Sequence, residues 1–311
     1  MWSLEPWQLL IALALDLLLG DPRRFPHITR LTGNLAAAVE SVFNRRFGRG
    51  ITSGSFFLLT LCLLIVGGSW LTYAGLSWLH PVAGKVWAIF IVYQAVAATD
   101  LRRHVKAVWQ AFNDKGLNSA RKAVGWIVGR DTANLDESGV SRAAIEAVAE
   151  SANDAAIAPL FWAVIGGAGG ALLFRVVNTL DSMVGHRDDK YETFGKASAR
   201  ADDLLGLIPA RLCAVVSAIA YGISNLPAIR REAGYHASPN AGWPEAAIAR
   251  ALNVRLGGAN TYDNIPHESP TFHATGKSPG PADIHRALRW FTVVYTATVV
   301  LLTAFSLILH L

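Results

Sequence analysis

The chain has 311 residues, with 28 Lys plus Arg against 23 Asp plus Glu and a formal charge of +5. Hydrophobic residues make up 52% and charged residues 16%, against roughly 25% charged in an average soluble domain. That balance excludes disorder and leaves too little charge to coat an ordinary soluble enzyme, while two cysteines, Cys62 and Cys213, exclude a disulfide scaffold or a cysteine-built zinc site. The basic residues lie beside apolar runs, the pattern of membrane-flanking loops rather than of a nucleic-acid partner.

A spanning helix needs about 20 mostly apolar residues. Such runs occur at Leu4–Leu19, Ser55–Leu79, Val82–Thr99, Ala155–Val177, Leu204–Asn225 and Trp290–His310. The expected fold is an all-α polytopic membrane protein, a single integral membrane domain over residues 1–311. About four to six helices are membrane-embedded, some of them re-entrant, with large cytoplasmic loops. The first run lacks a positive n-region and a small-residue cleavage site, so it reads as a helix and not a signal peptide. Asp16 inside it requires a partner. Arg23, Arg24, Arg30, Arg45, Arg46 and Arg49 follow, which places this loop in the cytoplasm. Asn34–Phe47 reads as an interfacial amphipathic helix, with Leu35, Val39, Val42 and Phe43 on one face. The second and third runs form a hairpin around His80–Pro81, and the loop 100–154, with eight Lys/Arg, returns to the cytoplasm of an inner-membrane protein. The fourth run is broken at 166–170 by Gly166-Gly167-Ala168-Gly169-Gly170, and the fifth carries Pro209 and Arg211 near its start. Both read as re-entrant or shallow, which keeps the polar loops 100–154, 178–203 and 226–289 on one side. Pro227–Arg289 is expected to hold little regular structure beyond a helix at Pro244–Leu252.

Three segments concentrate chemistry. In Gly139–Asp154, expected to be a helix capped by Ser138, Glu146, Glu150 and Asp154 recur every four residues. Stacked carboxylates repel unless a cation sits among them, which suits Mg²⁺ or a substrate amine. The alternative is a solvated face with Arg142 neutralising Glu146. In Asn178–Asp203, Asn178, Asp181 and Ser182 share a helical face. Arg187, Lys190, Lys196 and Arg200 suit phosphate oxygens, and Asp188-Asp189 and Asp202-Asp203 are paired carboxylates. Against this stands a snorkelling interfacial loop with internal ion pairs. In His236–Glu245, tight turns present Ser238 and Asn240, which is equally what a structural loop does. No P-loop, dinucleotide fingerprint, GxSxG elbow or HExxH is present.

Taken together the chain resembles the cobalamin-biosynthesis CbiB/CobD family, the adenosylcobinamide-phosphate synthases. The resemblance rests on LDLLLGDPRRFPH, VGRDTANLDE with SRAAIEAVAE, the block NTLDSMVG…DD…PAR, and SPNAGWPEAAIARALNVRLGG, from about Leu15 to Gly258. It implies an integral membrane ligase that uses ATP and Mg²⁺ on a corrinoid substrate. Adenosylcobyric acid would be joined to (R)-1-amino-2-propanol or its phosphate through an activated propionate, most simply an acyl phosphate. Other corrin-pathway enzymes would be partners at the bilayer. Within that chemistry Glu146, Glu150, Asp181 and Lys196 are candidate catalytic residues. Asn178, Ser182, Arg187, Tyr191, Arg200, Arg211, Ser238 and Asn240 are candidates for substrate or phosphate, and Asp154, Asp202 and Asp203 for metal. These roles follow from the chemistry and not from the family. The family pattern Glu-Asn-x-x-Asp-Gly stands here as Glu150-Ser151-Ala152-Asn153-Asp154-Ala155, so Asn153 is expected to supply the amide from a shifted position. A membrane corrinoid transporter or binding scaffold is the competing reading, because glycine-broken runs with polar ends also build transporter sites.

Overall fold

A computed structural model describes residues 2, 4–22, 26–185 and 191–310. In chain order the helices are α1 (Pro6–Leu19), α2 (Ile28–Phe47), α3 (Ile51–Cys62), α4 (Gly68–Leu79), α5 (Pro81–Ala95), α6 (Ala98–Lys115) and α7 (Leu117–Val124). Then come α8 (Glu137–Ser151), α9 (Ala158–Val184), α10 (Lys196–Tyr221), α11 (Leu226–Ala233), α12 (Gly242–Leu252) and α13 (Pro281–Leu309). Wider π turns at Leu63–Gly67 and Ala152–Ile157 join α3 to α4 and α8 to α9. Among the described residues, five helical stretches are long and apolar enough to cross a membrane: Ile51–Leu79, Pro81–Lys115, Glu137–Val184, Lys196–Tyr221 and Pro281–Leu309. The architecture is that of an all-α polytopic membrane protein.

A two-stranded sheet corrects the expectation of an irregular last loop. β1 (Leu256–Tyr262) and β2 (Ile265–Phe272) form an antiparallel hairpin, and α11 precedes α12. The hairpin turns at Asp263 and Asn264, both at positive φ (49° and 63°), a conformation that Asp and Asn tolerate best among residues with a Cβ. A second correction concerns the cap of α8. Asp136, not Ser138, is the N-cap and accepts the Gly139 N–H at 2.6 Å.

The chain forms two compact units: Met1–Ala97 with Ala158–Gly206 and Leu302–Leu311, and Ala98–Ile157 with Leu207–Leu301. In the first, α5 packs on α1, α4 and α9, and α2 packs on α3 and α9. Pro6 starts α1, and the Glu5 N–H is taken by Gln8 Oε1 at 2.9 Å. Polar groups at helix ends find local partners. The Tyr93 hydroxyl donates to the Gly20 carbonyl (2.7 Å), and the Ile28 N–H donates to Gln94 Oε1 (3.2 Å). Arg175, 7% exposed, donates Nε to the Ala95 carbonyl where α5 ends (2.8 Å).

Helix α9 is not one straight rod. Gly167 has φ 63° and ψ −159°, a conformation open to glycine alone. A methyl group at Gly170 would collide with the carbonyl oxygen of Trp162. In a straight helix residues eight apart are about 12 Å apart, so the chain turns back on itself at Gly167. The arm after this turn runs down to the polar cluster described below. Pro209 cannot donate to the Leu205 carbonyl within α10, and that freed acceptor takes the indole N–H of Trp162 at 2.9 Å.

In the second unit, α8 packs on α6, α7, α12 and β1, while α11 and β2 pack on α12. Trp290 on α13 donates to Ser217 Oγ on α10 at 2.7 Å.

Candidate functional site

Two polar constellations hold the residues singled out in the sequence, one in each unit.

The first lies where the end of α9 meets the start of α10. Asn178 Nδ2 donates to Asp202 Oδ1 at 3.1 Å and ties the two helices together. Ser182, exposed, donates back to the Asn178 carbonyl (3.0 Å). Asp181 sits over Gly185, where any Cβ would collide with its carboxylate, and its carbonyl accepts the Gly185 N–H at 2.7 Å. The connection into α10 is fixed by close backbone approaches. Gly195 lies on the Val184 carbonyl and Gly54 on the Phe194 carbonyl, each with no room for a side chain. Phe194 packs against Phe57 at a tilt of 50°, with ring centroids 5.1 Å apart. The Tyr191 hydroxyl donates to Glu40 Oε2 at 3.2 Å. Lys196 and Arg200 rise from the first turns of α10, with Asp202 and Asp203 half-buried behind them. Arg187, Asp188, Asp189 and Lys190 lie outside the described residues.

The second constellation surrounds α8. Glu146 is 6% exposed and lies in a buried ion pair. Its Oε1 accepts the Gly257 N–H at 2.6 Å, and its Oε2 pairs with Arg130 Nη2 at 2.6 Å. Arg142, expected as its neutraliser, instead donates to the Gly257 carbonyl, the Ala259 carbonyl (2.7 Å) and Asn260 Oδ1 (2.9 Å). Arg130 also reaches Asn260 Oδ1 at 2.7 Å. The three carboxylates therefore do not form one solvated stripe: on α8 Glu146 is buried and Glu150 exposed, and Asp154 is half-buried in the π turn that follows. Asn153, 3% exposed, donates its amide to Asp154 Oδ1 at 2.8 Å.

Arg211 and Asn240, chosen from separate segments, come together. Arg211 donates to Asn240 Oδ1 at 3.4 Å and lies over the Trp243 ring at 4.7 Å. Ser238 is the pivot of its turn, with its Oγ accepting from Asn240 N (3.2 Å) and Ala241 N (3.5 Å). His236 Nδ1 accepts the Ser238 N–H at 2.9 Å, and burial holds its pKa below the usual histidine range. Glu245, in the first turn of α12, is 8% exposed. Burial, then the charges of Glu146 and Glu150, push its carboxyl well above the ordinary range, against a smaller opposing pull from Arg130.

Sequence reasoning missed Arg130, Trp243, Glu245 and Asn260, and gave Arg142 the wrong partner. Trp243 and Glu245 stood inside a segment already singled out. The pairing of Arg130 and Asn260, by contrast, spans residues far apart in the chain and leaves no local signal. Among the described residues no three His, Cys, Asp or Glu side chains gather as a metal cage.

A family description, CobD/Cbib protein, matches residues 9–291. "Cobalamin biosynthesis protein CobD" of Brucella suis biovar 1 is 40% identical over 94% of this chain and 93% of its own length. The protein of the same name from Geobacter metallireducens is 43% identical over 84% of each chain. That of Rhodobacter capsulatus is 40% identical over 90% of each. No solved structure matches. With the matched stretch covering both constellations and most of the chain, the protein belongs to the CobD/Cbib family.

Proposed function

We propose that the chain is an ATP-dependent amide ligase of cobalamin biosynthesis. It would join the propionate carboxylate of adenosylcobyric acid to (R)-1-amino-2-propanol or its phosphate ester. The observation that carries this reading is the family match over residues 9–291, within which two sets of carboxylates and cations are held in defined geometry. Amide formation from a free carboxylate is uphill in water, so the carboxylate first needs a good leaving group. Transfer of the γ-phosphoryl group to the carboxylate gives an acyl phosphate and ADP. The free amine then attacks the acyl carbon and inorganic phosphate leaves.

Phosphoryl transfer asks a protein chiefly for position and charge neutralisation. Lys196 and Arg200, with Arg187, are assigned to phosphate oxygens, and Arg211 with Asn240 to the substrate carboxylate. A magnesium ion needs only one or two carboxylates beside phosphate oxygens. Asp202, oriented by Asn178, and its neighbour Asp203 are hard oxygen donors that fit such an ion. When bound, it would neutralise charge on the transferring group. Glu150, exposed on α8, is assigned to the ammonium, which must lose a proton before attack. Glu146 is given a positioning role, since its two oxygens already serve Arg130 and Gly257. The protein would lie in the cytoplasmic membrane with its polar loops in the cytoplasm, where other corrin-pathway enzymes could dock.

A corrinoid transporter or scaffold is the second reading, favoured by the chain reversal at Gly167. The test is a mass-spectrometric assay on nanodisc-embedded protein with adenosylcobyric acid, aminopropanol phosphate, ATP and Mg²⁺. Product and ADP from wild type, lost in Asp202→Asn and Glu150→Gln, support the ligase and its residues. Saturable corrinoid binding without product supports the second reading.

A further inference from the structure

We propose that the first turn of α10 is a binding site for a phosphate group. Its donors are the backbone N–H groups of Lys196, Ala197 and Ser198, the Ser198 hydroxyl and the Lys196 ammonium. The first backbone bond of this 26-residue helix runs from Ala199 N to the Gly195 carbonyl (3.0 Å). The three N–H groups before it have no acceptor among the described residues. Ser198 is 1% exposed, and its Oγ likewise has no hydrogen-bond partner among the described residues. A buried hydroxyl without a partner is unfavourable, and an acceptor oxygen on a ligand would relieve it. Helical Cα–Cβ bonds tilt toward the N-terminus. The Ser198 hydroxyl is therefore carried back over the same turn whose N–H groups are open. Lys196, half-buried, has no ion-pair partner among the described residues.

Every group assembled on this turn is a donor, and the helix end adds about half a positive charge. The complement is a tetrahedral oxyanion with several acceptor oxygens. The turn is preformed. Gly195 N donates to the Tyr191 carbonyl at 2.8 Å, and Gly195 and Phe194 are wedged against Val184 and Gly54. Asp202, one turn beyond Ser198, is engaged by Asn178 and does not occupy these donors.

The chemistry recognised is a phosphate monoester or phosphoanhydride. Naming its carrier as ATP or the amine's phosphate ester rests on the ligase reading. A lipid headgroup is the other source of the same group. The experiment is isothermal titration of the nanodisc-embedded protein with inorganic phosphate, ATP and aminopropanol phosphate. It uses discs of phosphatidylcholine alone and discs containing phosphatidylglycerol. Ser198→Ala and Lys196→Gln are compared with wild type. We expect saturable binding of at least one soluble phosphate, weakened about tenfold or more in each variant. Loss of that binding in phosphatidylglycerol discs, with no such effect in the variants, supports the site and gives it to a lipid. No binding, or equal affinity in wild type and both variants, overturns it.

Binding is read without turnover, so the two readings fail separately. A wild type that binds phosphate through Ser198 and Lys196 but forms no amide keeps the site and discards the ligase. Amide formation with unchanged KM for both phosphate-bearing substrates in both variants keeps the ligase and discards the site.

Discussion

Glu146→Gln should destabilise the second unit by removing one charge from a buried pair while keeping the side chain's shape. Glu146 is 6% exposed and its partner Arg130 has an 11% exposed side chain. The substituted amide can still accept from Gly257 through its oxygen, but it turns an NH₂ group or an uncharged oxygen toward a guanidinium. Breaking one side of a buried pair costs about 3–5 kcal/mol. Arg130 keeps Asn260 Oδ1 at 2.7 Å, so the lower end, about 3 kcal/mol, is expected. Arg130→Met should cost a similar amount, because it leaves the carboxylate with only the Gly257 N–H from this network. The double variant removes both charges and should cost less than the sum, with a coupling of about 1.5–3 kcal/mol. Equilibrium unfolding in mixed micelles reads all three proteins. Single variants costing under about 1 kcal/mol, or a double that is additive within about 0.5 kcal/mol, would refute the view that Glu146 holds the hairpin to α8.

Glu245 predicts a pH effect. Its folded pKa is raised, so the folded state holds that proton longer than the unfolded one. The stability it allows is complete below the ordinary value of 4.5 and is lost as pH rises toward the folded value. Glu245→Gln should therefore gain stability relative to wild type with rising pH, in unfolding midpoints measured from pH 4 upward; a flat difference would contradict the burial argument. Trp162→Phe should cost about 1–3 kcal/mol by orphaning the Leu205 carbonyl. In a Pro209→Ala background, where the helix regains its own donor, that cost should shrink, and an undiminished cost would show that the indole bond is not what matters. Single cysteines at the exposed positions Glu192 and Ala237 should react with a membrane-impermeant maleimide from the same, cytoplasmic side; labelling from opposite sides would overturn the common-side arrangement.

The helical membrane architecture was legible because apolar runs of spanning length leave few alternatives. The pairing of Asn178 with Asp202 was half legible: both stood out as polar residues beside apolar runs, but only the fold back at Gly167 and the approach of Gly195 to Val184 show how the helices meet. The β-hairpin was obscured by Gly257-Gly258 and by polar residues along both strands, which read as loop. Its turn signal, Asp263-Asn264, was present in the sequence. Arg142 stands four residues before Glu146, so local spacing favoured their pairing. Strand carbonyls 115 or more residues away drew Arg142 off and left Glu146 to Arg130. Glu245 follows Pro244 at a helix start, where an acid normally faces water and favours the dipole. Its burial comes from the packing of α12 on α8, which no local pattern encodes.

The most direct test of the central claim is oxygen transfer. Adenosylcobyric acid with both propionate carboxylate oxygens replaced by ¹⁸O would be turned over with ATP and the amine, and both products weighed. Activation as an acyl phosphate places one ¹⁸O in the released inorganic phosphate and leaves one in the amide. Label in AMP would contradict the acyl phosphate in favour of an adenylate, and phosphate without label, or no amide at all, would contradict carboxylate activation by this protein.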